Sequence, residues 1–292
     1  MKFCDRKGNK WEKQTVQDKQ LAWLYESYLG RKLLHFLVRP TISKIGGRIL
    51  DTKLSTIAIQ PFIKKNQISM EQYEETEYCS YNDFFIRKIK KDMRPIAMEE
   101  DVFISPCDGK VSAYRITNDG VFSIKNTDYT IESLTKSKKI AHYYKDGIIV
   151  ILRLTVDDYH RYCYPATGYK TRNFYIQGQF HTVNPIANDF APIYKENTRE
   201  YTLIKTKEFG TILQMEVGAM LVGKISNYEG KAFVKKGKEK GRFEFGGSTV
   251  VLLLDQTKVC LDEDLFENTQ KGYETIVRMG ERIGIRKEQI EV

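Results

Sequence analysis

Ser248 follows two glycines, Gly246 and Gly247, and stands at the head of the run Thr249 to Leu254. A hydroxyl nucleophile on a backbone bend is one part of a charge-relay set. The other two residue types, an imidazole and a carboxylate, occur at His160 and Asp108. Each of the three also has an ordinary structural explanation. Gly-Gly-Ser-Thr is a common bend, Asp108-Gly109 after Pro106 is a turn dipeptide, and a single histidine in a turn is more often structural than catalytic. The spacing also departs from the Gly-x-Ser-x-Gly elbow, which precedes a helix, whereas Thr249 begins a β-rich stretch. A conventional serine hydrolase is therefore disfavoured. His160 still differs from the other three histidines, because it closes the segment Thr155 to Tyr159 just past a buried strand, where scaffolds expose working side chains. His35 lies in an amphipathic segment, His142 in "IAHYYKDG" and His181 in "FHTVNP", where surface, core or strand roles are simpler.

Two kinds of element must hold these residues. Leu21, Leu24, Tyr25, Tyr28 and Leu29 follow helical spacing, and Leu33, Phe36 and Leu37 extend it to the stop at Pro40, with Arg31 and Lys32 on the polar side. From about Arg94 the texture changes to short β-rich runs punctuated by Pro, Gly and Asp-Gly, including "GIIVILRLTVDDYHRYCYP" and "TILQMEVGAMLVGKI". A further helix is expected near "DLFENTQKGYETIVRMGERIG". The fold class is α+β: N-terminal amphipathic helices in residues 1–93, then a compact β-rich catalytic domain in residues 94–292.

At 292 residues and 41% hydrophobic the chain can bury a substantial core. Its longest apolar runs fall far short of the roughly 18 residues of a membrane-spanning helix. The charged N-terminus lacks the apolar stretch of a signal peptide, so a cytoplasmic protein is expected. Five scattered cysteines without CxxC spacing argue against a disulfide framework or structural zinc. Fourteen of the 47 Lys and Arg but only five of the 38 Asp and Glu precede residue 66, so the remainder is neutral and the whole net charge of +9 lies at one end. That asymmetry predicts an anionic surface as partner for the N-terminal region, which docks peripherally on the cytoplasmic face of the cell membrane. Nucleic acid is not expected, since no zinc-finger, recognition-helix or RNA-binding pattern is present.

The segments "SPCDGKV", "DDYHRYCYP" and "KGKEKGRFEFGGSTVVLL", in this order, resemble the phosphatidylserine decarboxylase family. So do "DFFIRKIKKDMRPI", "FHTVNPIANDFAPIYKENTRE" and "VGAMLVGKI", and the resemblance runs from about Tyr81 to Val259. It implies a proenzyme that cuts itself before the serine of Gly-Ser-Thr, here between Gly247 and Ser248. The products would be a beta chain of residues 1–247 and an alpha chain of residues 248–292, which remain partners. Ser248 would become a covalent pyruvoyl group, with no metal and no pyridoxal phosphate. By the same resemblance that ketone forms a Schiff base with phosphatidylserine, carbon dioxide leaves, and phosphatidylethanolamine is released. The catalytic residues implied are Ser248, His160 as the base that activates it, and Asp108 orienting the imidazole and stabilising its charge.

Many members carry a second histidine three places after the first, whereas this chain has Cys163 there. Cys163 is no simple replacement as base or proton donor; either His160 performs both tasks or a group such as His181 takes one. Gly246 also replaces a leucine common in the family. Two other readings stay open: a lipoyl-like carrier module, suggested by "AFVKKGKEKGRFEF", and a serine hydrolase that keeps Ser248 intact. A homo-oligomer is compatible with everything above.

Overall fold

Two strands in the middle of the largest sheet are buried along their full length, Ile148–Leu154 and Ser248–Leu254, and they pair with each other. A strand covered on both faces reads as a continuous apolar run instead of alternating. This accounts for "GIIVILRL" and "STVVLLL". The computed structural model describes residues 1–13, 16–124, 127–184, 187, 190, 192–219, 224–244 and 248–288.

Among the described residues the strands, in chain order, are β1 (Lys2–Cys4), β2 (Lys10–Glu12), β3 (Val102–Ile104), β4 (Gly109–Arg115), β5 (Val121–Ile124), β6 (Thr127–Thr130) and β7 (Ile148–Leu154). They continue as β8 (Arg161–Cys163), β9 (Gly168–Lys170), β10 (Phe174–Ile176), β11 (Arg199–Thr206), β12 (Thr211–Val217), β13 (Lys224–Asn227), β14 (Ala232–Val234) and β15 (Glu239–Glu244). The last four are β16 (Ser248–Leu254), β17 (Val259–Leu261), β18 (Glu274–Val277) and β19 (Arg282–Arg286). The central sheet runs β14-β9-β11-β12-β16-β7-β4-β18-β1-β2, with β10 beside β11. Smaller sheets are β13-β15-β8, β17-β19-β3 and β5-β6.

The pleat sends alternate side chains to opposite faces. Val150, Leu152, Leu154, Val250, Leu252 and Leu254 join one core with Tyr162 and Phe243 of the β13-β15-β8 sheet. Ile149, Ile151, Val251 and Leu253 join another with Tyr25 and Leu34 of the N-terminal helices. The architecture is α+β, with most helices ahead of the strands. The first strands are an addition to that order: β1 pairs in parallel with β18 and carries β2 on its outer edge.

The helical quarter differs from the expected single helix through Leu37. It breaks into α1 (Val16–Glu26) and α2 (Tyr28–Leu37) because the Ser27 hydroxyl caps α2, accepting a hydrogen bond from Gly30 N at 2.9 Å. The break rotates the inward face: Leu21, Tyr25, Leu34 and Val38 are buried, while Tyr28 and Leu29 are 65% and 69% exposed. Two further helices, α3 (Pro40–Leu50) and α4 (Ile59–Asn66), are joined by a 3-10 turn at Lys53–Ala58, and α5 (Tyr81–Phe85) leads into the β region. No helix among the described residues is long and apolar enough to cross a membrane.

The expected C-terminal helix occupies only Glu263–Gln270. Gly272, at φ +76°, ends it in a conformation that side-chain-bearing residues resist, and the β-branched run Thr275-Ile276-Val277 becomes β18. All five cysteines are free.

The only charged residue of β7, Arg153, is buried and held by Glu274 of β18, with Nε to Oε1 at 2.8 Å and Nη2 to Oε2 at 2.5 Å. Glu274→Ala leaves that guanidinium uncompensated and is expected to cost about 3 kcal/mol. Urea unfolding checks this, and a change within about 0.5 kcal/mol, the usual range for surface sites, would show the pair to be solvated.

Candidate functional site

Register places four strand ends in one row. Ser248 lies opposite Leu154; because Lys110 pairs with Arg153, Gly109 also falls opposite Leu154; and Gly109 pairs with Val277. The residues just beyond this row are the turn after β7, Asp108 before β4, and Arg278 after β18. The sheet itself therefore gathers the hydroxyl, the imidazole-bearing turn and the carboxylate at one end.

Ser248 is fully buried, and as the partner of Leu154 it faces the core beneath the β13-β15-β8 sheet. Its Oγ has no hydrogen-bond partner among the described residues. Such a buried orphan hydroxyl is uncommon and calls for an explanation. Gly246 and Gly247, where the sequence places the bend and the scissile bond, lie outside the described residues, but both flanks of that segment are set. Phe243 N donates to His160 O at 2.9 Å, and Ser248 sits against Leu154. β15 also comes very close to its neighbours at Gly241, where a Cβ would lie 2.2 Å from Ser226 O and 2.8 Å from the Tyr162 hydroxyl. Only glycine fits there.

His160 ends the β7–β8 turn and is 1% exposed. Its Nδ1 is 2.9 Å from the Asp158 carbonyl. A carbonyl oxygen can only accept, so Nδ1 carries the proton and Nε2 presents a lone pair. That Nε2 is buried and, among the described residues, has no hydrogen-bond partner, Ser248 Oγ included. The ring lies on Phe85 of α5, with centroids 4.1 Å apart. Burial is the main cause that lowers the imidazole pKa to about 4; Arg87 lowers it further, while Asp158 and Asp157 oppose. His160 is a neutral group at neutral pH.

The turn has its own brace. The Asp158 carboxylate accepts Thr155 N at 2.6 Å and Thr155 Oγ1 at 2.9 Å, and takes Lys110 Nζ of β4 at 2.6 Å. Burial pushes the Asp158 carboxyl up, but the Lys110 ammonium and these bonds leave it below the ordinary value.

Asp108 is spoken for. Its carboxylate receives Arg94 Nε at 2.8 Å, Arg94 Nη2 at 2.5 Å and Met279 N at 2.8 Å. It sits at the right end of the sheet, yet it makes no hydrogen bond to the imidazole; the contact that orients His160 comes from the Asp158 backbone. Cys163, in β8, is fully buried with its thiol pushed up to about 12, chiefly by burial, and remains protonated. His181 is buried against Tyr25, whose hydroxyl is 3.3 Å from Nδ1, and its Nε2 is 3.6 Å from Glu196. Burial lowers its pKa as well. Tyr25 packs in the core on the sheet face opposite Ser248. His35 and His142 are exposed.

Asp158, Lys110, Arg94 and Phe85 belong to the site and were not singled out from sequence. The adjacent carboxylates of "DDYH" were the one available signal, and it could not distinguish a backbone contact from a side-chain one. Among the described residues no group of three or more His, Cys, Asp or Glu could hold a metal. A cleft of about 240 Å³ opens beside the turn, between the residues after α4 and the sheet end, with Arg94, Asp108, Asp158 and Tyr159 in its wall.

The phosphatidylserine decarboxylase family model matches residues 81–285. The chain is 45% identical over 281 residues to phosphatidylserine decarboxylase proenzyme 2 of Clostridium acetobutylicum, covering 96% of each. It is 39% identical to the phosphatidylserine decarboxylase proenzyme of Clostridium botulinum strain Alaska E43, over 98% of this chain and 99% of the relative. It is also 39% identical to the proenzyme of that name from Clostridium tetani, over 97% and 98%. With matches of this extent, over a buried serine, a neutral histidine and the braced turn between them, the chain belongs to the phosphatidylserine decarboxylase family and is a decarboxylase.

Proposed function

We propose that the chain is a precursor that cuts its own backbone between Gly247 and Ser248, and that the product converts phosphatidylserine to phosphatidylethanolamine with a pyruvoyl group made from Ser248. The observation that carries this reading is the presence, at the same end of the sheet, of two buried polar atoms with no hydrogen bond among the described residues, Ser248 Oγ and His160 Nε2. The relatives' name, proenzyme, supports the precursor.

The chain's own residues supply the steps. His160 Nε2 takes the hydroxyl proton, Ser248 Oγ attacks the Gly247 carbonyl, and the peptide C–N bond breaks as the imidazolium returns the proton to the freed nitrogen. The ester then loses the Ser248 α-proton and the Gly247 carboxylate; water replaces the nitrogen of the remaining dehydroalanine and ammonia departs. Burial suits these steps, because no water competes with Oγ. The ketone so formed supplies an electrophile for the substrate amine and a sink for the electrons left when carbon dioxide departs. Asp108 acts on the charge that His160 acquires, through space and with Arg94 beside it. His160 serves both stages, since Cys163 stays a neutral thiol and His181 is engaged with Tyr25.

The helical quarter docks peripherally on the anionic cytoplasmic face of the membrane. In support, Tyr28, Leu29, Leu33, Phe36, Ile45, Ile49, Leu54 and Ile57 are exposed, and the basic residues Arg31, Lys32, Arg48 and Lys53 are exposed among them. Exposed apolar side chains in this number suit a contact site, and each basic residue adds about 1 kcal/mol at an anionic leaflet.

Ser248→Ala and His160→Ala are each expected to give a folded, inactive, full-length chain on a denaturing gel; normal cutting in either overturns the assignment of that residue. Asp108→Ala should slow the cut. The pH profile carries a sign. His160 is unprotonated above about 4 in the folded chain, against 6.5 for free imidazole, so the acid limb of self-cleavage falls below pH 6.5. In the same window the unfolded chain binds the proton that the folded chain refuses, so stability declines as pH falls from 6.5 towards 4. A limb centred at or above 6.5 would contradict this environment. Binding to anionic liposomes should weaken with salt and with Leu29→Glu; equal binding to neutral vesicles would argue against docking.

A further inference from the structure

The cleft beside the catalytic turn has an uneven charge balance. Arg94 and Asp108 neutralise each other across it, as do Lys110 and the cleft residue Asp158. Two charged residues of its wall are left over, Asp157 in the turn and Arg278 just after β18. Both are exposed, and among the described residues neither side chain has an ion pair or a hydrogen bond. Only the backbone of Arg278 is engaged, its N donating to Glu281 Oε2 at 2.9 Å. A cleft offering one free cation and one free carboxylate is complementary to a ligand carrying both charges.

Position says which charge faces the chemistry. Asp157 precedes the braced Asp158 and lies near enough to His160 for its charge to act on the imidazole. Arg278 follows Val277, which stands three strands from Ser248 in the row Ser248–Leu154–Gly109–Val277, roughly 14 Å at about 4.8 Å per strand. An extended arginine and the headgroup of an aminophospholipid together span that distance. The amine must reach Ser248, so the phosphodiester points away from it, towards Arg278. The opposite wall, Asn66 to Ser69, begins at the last residue of α4, so acyl chains leaving the cleft would meet the helical quarter.

We propose that Arg278 and Asp157 are the headgroup clamp of this cleft, Arg278 pairing with the phosphodiester and Asp157 receiving the ammonium of an aminophospholipid. This rests on the decarboxylase reading above and adds the recognition of its substrate. A guanidinium matches a phosphate's paired oxygens, so the arginine is the stronger of the two contacts. With the one free cation taken by phosphate, the clamp supplies no counter-charge for the substrate carboxylate. It therefore does not distinguish substrate from product, and the product's headgroup binds as well.

The test measures calorimetric binding of glycerophosphoethanolamine, a headgroup without chains, to wild type, Arg278→Gln, Arg278→Lys and Asp157→Asn. Decarboxylation of soluble dihexanoyl phosphatidylserine is followed in parallel. Arg278→Gln should weaken binding and raise KM at least about tenfold with kcat within about twofold, Arg278→Lys should recover part of the loss, and Asp157→Asn should weaken binding several-fold. Arg278→Gln and Arg278→Lys should be cut as wild type is. Inorganic phosphate should compete weakly with the headgroup in wild type, which separates recognition of both charges from recognition of phosphate alone; equal affinity for the two ligands overturns the role of Asp157. Unchanged headgroup binding and KM in Arg278→Gln overturn the clamp. A wild type that binds the headgroup yet releases no carbon dioxide overturns the decarboxylase reading and leaves the clamp standing.

Discussion

A carbonyl oxygen has no proton to give, and the hydrogen bond between His160 Nδ1 and Asp158 O turns that limitation into a catalytic setting. It puts the ring proton on Nδ1 and leaves Nε2 as a base. Burial then keeps the ring neutral, with its pKa held near 4. The carbonyl stays in place because the Asp158 side chain is bound by Thr155 and by Lys110 of the adjoining strand. If that turn relaxed, the tautomer, the ring orientation and the contact with Phe85 would be lost together.

The central sheet supplies the second constraint. β7 and β16 are covered on both faces, so the register between them is firmly specified: a one-residue slip would exchange every side chain between the two cores. Ser248 consequently has one place to be, opposite Leu154. Stability and chemistry draw on the same pairing here. The apolar residues that hold the sheet together also exclude water from the hydroxyl.

Much of this was legible in the residues. The unbroken apolar runs marked the doubly covered strands, and the turn carrying His160 was visible as polar residues after such a run; the bend expected at Gly246 and Gly247 lies outside the described residues. The misreadings have local causes. Helical periodicity continued through Ser27, but its hydroxyl caps a new helix, which leaves Tyr28 and Leu29 exposed instead of in line with the buried Leu21 and Tyr25. The segment after Asp262 had helical composition, but Gly272 and a β-branched run converted its second half to strand. Arg94, fourteen residues from Asp108, and Lys110, far from Asp158 in sequence, meet their partners only through the fold. No periodicity encodes such pairs. Cys163 read as a weak substitute for a histidine, and its complete burial gives the physical reason.

The central claim is covalent, so the most direct measurement is the chemical identity of residue 248 in active protein. Intact-mass analysis of purified, catalytically competent material should resolve a chain of residues 248–292 whose first residue is a pyruvoyl group that blocks Edman degradation and is consumed by borohydride. An active preparation containing only the uncut 292-residue chain, or one in which an unmodified serine opens the short chain, would contradict the account.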